Sequence, residues 1–235
     1  GGAYADGMDA AEVEKIIKRK ESLQAVIQAL DEQIRLFEQP LSEDTTKRLS
    51  RCQAALQEIE KTLAQVKTEI EVAARKQGVW YGRRERLEVM DPLKMATEIS
   101  AVSEAVREKQ QAFQQVTWLY LKEAEALTYN PEDLKQRRRV SELLRQRKES
   151  MKKLATEIRR TIDEEVSRSD RILAALTIKR SALESQLKDK KKDLEVVQAL
   201  FSGDDVQKDL VKKELLDKRE IAAAELEELR QLQPD

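Results

Sequence analysis

The sequence predicts an all-α protein, an elongated antiparallel coiled-coil or helical-bundle rod of about five helices, one of them very long (about 131–202). Apolar residues recur at heptad spacing through most of the chain, the signature of helices zipped along narrow stripes. Between Met8 and Gln233 there are only three prolines and three glycines, and each falls where that periodicity lapses or restarts. Charged residues make up 38% of the 235 and aromatics only 4%, too little bulk for one broad core of ordinary composition.

The elements follow in order. Gly1 to Gly7 carries neither basic nor apolar character, so residues 1–9 are expected to be a disordered lead-in or cloning scar. From Ala10 to Gln39, Val13, Lys20, Ile27 and Ile34 form one row, and Ile16, Leu23, Leu30 and Phe37 the other, with Lys20 a charged intruder. Pro40 pushes Gln39 out of the α region and ends that helix. Ser42 or Asp44 then caps a second helix, whose rows are Leu49, Leu56, Leu63, Ile70 and Cys52, Ile59, Val66, Ala73. The short connection predicts an antiparallel hairpin over 10–77. Periodicity fades at Gly78, so 78–91 is expected to be a joint.

Asp91 and Pro92 form the usual cap and first-turn pair of a third helix, with Met95, Ile99, Val102, Val106, Phe113, Val116 and Tyr120 on its seam. Trp118, Leu119 and Leu121 widen that stripe, which predicts contact with more than one partner helix. Asn130-Pro131 starts the fourth helix, unbroken to Ser202 and roughly 105 Å long. Its seam includes Leu154, Ile158, Ile162, Val166, Leu173, Leu176 and Leu183; the steps of four from Leu154 to Val166 are a stutter, a place to exchange partners. Ser202-Gly203-Asp204-Asp205 ends the fourth helix and caps a fifth, to about Leu232. Residues 92–233 thus form an expected three-helix unit on a long central helix. The third helix is expected to fold back along the first half of the fourth, and the fifth helix along its second half.

Chemistry is sparsely represented. The chain has no histidine, which removes the commonest general base and metal ligand, and a single cysteine, Cys52, on the apolar row of the second helix. No glycine-rich phosphate loop occurs. No catalytic residue, metal ligand or cofactor is therefore expected, and the protein is not expected to be an enzyme. Lys+Arg is 44 against 45 Asp+Glu, so no overall charge draws the chain to nucleic acid or to a membrane surface. No stretch is apolar enough to span a bilayer, and the lone cysteine fits a reducing, cytoplasmic setting.

Two constellations are expected to bind partners. Lys135 to Lys148 carries seven basic residues and one acid, with Arg137, Arg138, Arg139, Arg145 and Lys148 the docking candidates. The competing expectation is a solvated flank paired to acids of the third helix such as Glu123 and Glu125. Trp80 and Tyr81 beside Arg83 and Arg84 are of the types enriched at interface hot spots, or else plug the open end of a bundle. The pattern resembles, in its helices alone, the spectrin-like and coiled-coil rods of scaffolding proteins. That resemblance implies a cytoskeletal or trafficking scaffold or adaptor segment of a larger protein, forming a homodimer and binding other coiled-coil or cytoskeletal proteins. A BAR-like membrane-binding dimer and an effector module docking a small GTPase or kinase are the alternatives.

Overall fold

The computed structural model describes residues 7–235; residues 1–6, most of the expected lead-in, lie outside the described residues. Six helices and no strand occur among the described residues: α1 (Ala10–Glu38), α2 (Glu43–Leu87), α3 (Pro92–Ile99), α4 (Glu104–Tyr129), α5 (Leu134–Leu200) and α6 (Asp205–Leu232). The starts are fixed by side chains that satisfy the orphan N–H groups of a first turn. Asp9 accepts from Glu12 N at 2.8 Å, Asp91 from Leu93 N at 2.8 Å, Ser103 from Val106 N at 3.3 Å, and Asp204 from Val206 N at 3.0 Å. The long helix is present, with 67 residues and a length of about 100 Å. Its cap is Asp133, which accepts from Lys135 N at 3.0 Å, so the helix begins after the Asn130-Pro131 turn rather than at it.

The chain forms two compact units, one joining the residues up to Thr62 with Leu183–Asp235, the other comprising Leu63–Ala182. In the first unit α1 packs along α6. Leu23 meets Ala222 and Leu226, while Leu30 and Ile34 meet Leu215 of α6 and Val196 near the end of α5. Arg19 pairs with Glu225, Asp31 with Arg219 and Glu38 with Lys212, an antiparallel register. The hairpin expected over 10–77 is therefore not the unit that forms. A short connection brings two helices near each other, as the Arg48–Glu32 pair at 3.6 Å attests, but the apolar and charged rows of α1 are matched chiefly by α6.

The second unit has the broader core. Trp80, Met95, Ile99, Phe113, Leu154, Ile158, Ile162 and Val166 are buried together, drawn from α2, α3, α4 and α5. Fully burying such side chains contributes about 1.5–3 kcal/mol each. The antiparallel return of α4 along the first half of α5 is fixed by Val106 and Phe113 facing Leu154 and Ile158, with Arg147 Nε donating to Thr117 Oγ1 at 3.3 Å.

Two boundaries differ from the sequence expectation. The joint over 78–91 is helical as far as Leu87. Gly78 and Gly82 have no positive φ, and a glycine inside a helix costs only about 1 kcal/mol relative to alanine. Burial of Trp80, seven residues after Ala73 and fourteen after Val66 on the same row, outweighs that cost. The third helix, expected to be continuous, breaks at 100–103 into α3 and α4. The bend lets Met95, Ala96 and Ile99 reach the core from one direction and Val106 and Phe113 from another, and it leaves Val102, expected on the seam, exposed.

Candidate docking surface

The candidate partner-binding residues all lie in the second unit, in two places. The first is the Trp80 cluster on the last turns of α2. Trp80 is 9% exposed and packed into the core, because it continues the buried row of Val66 and Ala73. It is an internal plug, and its place among the partner-binding residues is corrected. Its neighbours brace it. The Arg83 guanidinium lies 4.5 Å from the Trp80 ring centroid and 3.8 Å from Glu98 of α3, and Arg86 reaches the same carboxylate at 2.8 Å. Tyr81 donates its hydroxyl to the Asp170 carboxylate at 3.0 Å, with the Arg84 guanidinium 4.6 Å from the Tyr81 ring. That donated hydrogen bond favours the neutral phenol and raises the Tyr81 pKa above its ordinary value. Gln77 donates to the same Asp170 at 2.8 Å. These polar groups tie α2 to α3 and α5 around a filled core.

The second place is the N-terminal stretch of α5, where the seven basic residues divide by their surroundings. Arg147 is half-buried, its guanidinium 5.4 Å from the Phe113 ring, an internal role that the sequence pattern did not single out. Arg145 grips Glu142 with two hydrogen bonds, of 3.1 and 2.6 Å, one turn away on the same helix. This bond from Arg145 lowers the Glu142 pKa and raises that of Arg145. Arg137, Arg138, Arg139 and Lys148 are exposed, and none has an ion-pair partner within 4.0 Å among the described residues. The expected pairing with Glu123 and Glu125 does not form. Three consecutive arginines fan out over about 200° of the helix at 100° per residue, and the first turn of α5 holds no acid. Positive charge is thus concentrated where the helix dipole already contributes its own.

Beside this basic stretch, α4 leaves apolar side chains uncovered. Trp118 is 60% exposed, Leu121 59% and Tyr129 83%, with Lys122 lying 5.2 Å from the Trp118 ring. No second partner helix covers the widened stripe in the described structure. The signal was present in the sequence: at 100° per residue Trp118 stands about 140° from the buried Phe113.

The seam residues of α5 separate into two grades. Leu154, Ile158, Ile162 and Val166, the stutter itself, are buried, whereas Leu173, Leu176 and Leu183 are half-buried. A shallow, mainly apolar groove of about 380 Å³ runs beside Leu176, between Val72 and Ala73 of α2 and Ile172 of α5. Among the described residues no group of three or more His, Cys, Asp or Glu is placed to hold a metal ion, and no helix is long and apolar enough to cross a membrane.

Comparison with known proteins adds little. No family model matches the chain, and no curated protein matches it. A crystal structure of a coiled-coil segment of Pyrococcus yayanosii Smc is similar over 95% of each chain, at 16% sequence identity and a TM-score of 0.30. So loose a superposition transfers neither fold nor function.

Proposed function

We propose that this chain is a non-enzymatic coiled-coil scaffold that self-associates as a homodimer and docks other helical proteins, in a cytoplasmic cytoskeletal or trafficking setting. One observation carries the reading. The α4–α5 hairpin holds exposed apolar side chains and the arginines Arg137, Arg138 and Arg139, without ion-pair partners of their own, on helices fixed by a well-buried core. Rigid helices with uncovered apolar and arginine side chains have the composition of a protein-binding surface. An acidic helical face is the complementary partner chemistry, and electrostatics at such a rim acts mainly on association rate and orientation. Tyr81 and Arg84 are a secondary contact area; Arg83, half-buried over Trp80, has its main role inside the unit.

The test uses the purified chain and a synthetic Glu-rich helical peptide, with binding followed by fluorescence anisotropy. Arg137→Glu, Arg138→Glu and Arg139→Glu together are expected to weaken binding at least tenfold at low salt, without loss of helicity. Unchanged binding removes the basic stretch from consideration. Pelleting with phosphatidylserine vesicles separates the membrane alternative, and no pelleting is expected.

A further inference from the structure

We infer that the uncovered face of α4 is a homodimer surface, on which a second copy of the same helix lies antiparallel about a twofold axis between Glu123 and Ala124. This names the face used by the self-association proposed above and rests on that reading. Trp118, Lys122, Glu125 and Tyr129 follow one another in steps of four, three and four, the spacing of a coiled-coil seam. They lie about 120–180° around α4 from the buried Phe113, on the side that no other helix of the unit covers.

The order of the four residues is self-complementary. In an antiparallel pair centred between Glu123 and Ala124, each residue meets the one equally far on the other side of the axis. Trp118 then faces Tyr129 of the second copy, and Lys122 faces its Glu125, twice over by symmetry. A closed twofold interface requires this relation, in which the same patch is complementary to itself. A parallel pairing in register would set Lys122 on Lys122 and Glu125 on Glu125, a like-charge arrangement that is disfavoured. Neither Lys122 nor Glu125 has an ion-pair partner among the described residues, so both are free to form these bridges. Leu121, about 80° from Phe113, adds exposed apolar surface along the flank of the stripe.

The size of the surface sets the strength. Trp118, Leu121 and Tyr129 expose on the order of 400 Å² per copy. Standard interfaces bury roughly 800 Å² per partner, so the dimer is expected to be reversible and concentration-dependent.

Sedimentation equilibrium of the full chain over a wide concentration range tests the assignment. Lys122→Glu and Glu125→Lys, each alone, set like charges across the axis and are expected to weaken dimerisation at least tenfold. An equimolar mixture of the two variants restores both opposite-charge pairs and is expected to return to within threefold of the wild-type constant, as heterodimer. Trp118→Ala is expected to abolish the dimer. All of these positions are exposed, so circular dichroism should report unchanged helicity. A wild-type dimer indifferent to all these variants overturns this face and leaves self-association standing through another surface, such as the groove beside Leu176. A wild-type monomer at every concentration overturns both. A monomer whose Trp118 face instead captures the Glu-rich helical peptide assigns the face to a foreign helix.

Discussion

The two units hold their helices together in different ways. The second unit concentrates its apolar residues: Trp80, Met95, Ile99, Phe113, Leu154 and Ile158 come from four helices and exclude water together. The first unit spreads its apolar residues into two small clusters, around Leu30 and around Leu23, and ties α1 to α6 with charged pairs between them. Such pairs are exposed, and exposed ion pairs add little net stability while fixing register. The first unit therefore relies on pattern matching along a narrow seam, and the second on volume. Registers matched by charge respond to pH and salt; a filled core responds to deleted volume.

The largest expected effect comes from deleting volume. Phe113→Ala should cost about 3–5 kcal/mol in the second unit, whereas Leu23→Ala, in a small cluster that relaxes more readily, should cost about 2–3 kcal/mol in the first. Calorimetry of the two variants checks this; equal losses break the contrast between the units.

Next comes the buried charge of the first unit. Lys20 is buried, and its ammonium donates to Gln233 O at 2.6 Å, Gln233 Oε1 at 2.8 Å and Asp235 Oδ1 at 2.7 Å. Lys20→Met leaves those acceptors without their charged donor and should cost about 1–2 kcal/mol. Hydrogen exchange should speed up at the last turn of α6, and no change there would show that the tail is held by other contacts.

Acidification sharpens the comparison further. The hydrogen bond from Arg19 lowers the Glu225 pKa, and that from Lys20 lowers the Asp235 pKa. A carboxylate with a depressed folded-state pKa contributes stability that is full above its ordinary range, about 4, and is lost as the pH falls through the folded value. The first unit should thus lose exchange protection earlier than the second as the pH drops below about 4. In the second unit the depressed Glu142 pairs with Arg145 of its own helix, and the carboxylates that do bridge helices there, Glu98 and Asp170, lie around a core already filled by apolar side chains. Simultaneous loss in both units would contradict the assignment.

The smallest effect is a gain. A Cβ at Gly78 meets nothing within 4 Å, and its φ is not positive, so Gly78→Ala should stabilise the second unit by about 0.5–1 kcal/mol. Destabilisation would mean that the helix there is held less well than burial of Trp80 implies.

The candidate surface was only partly legible in the sequence. The arginine run 137–139 stands out by composition, and the structure leaves it exposed. Arg147 belongs to the wider basic stretch, Lys135 to Lys148, but is half-buried beside Phe113, since its angular position turns it towards the core. Trp80 stands out as an anchor because Trp, Tyr and Arg side chains gather where periodicity lapses between Gly78 and Gly82, yet its place in the row of Val66 and Ala73 already points inward.

The sequence by itself determined the all-α class, the very long helix, the cap at Asp91 and the capping stretch at 202–205, because periodicity, breaker residues and capping side chains act within a few residues along the chain. Which helix pairs with which was decided only in three dimensions. Heptad stripes of similar width are nearly interchangeable as partners, and the choice of α6 for α1 depends on charges some two hundred residues apart, such as Arg19 and Glu225. The break between α3 and α4 was likewise set by the core. Ser103 supplies a local cap for α4, but the periodicity runs on through it in the sequence, and it is bending the chain that buries Met95, Ile99 and Phe113 at once.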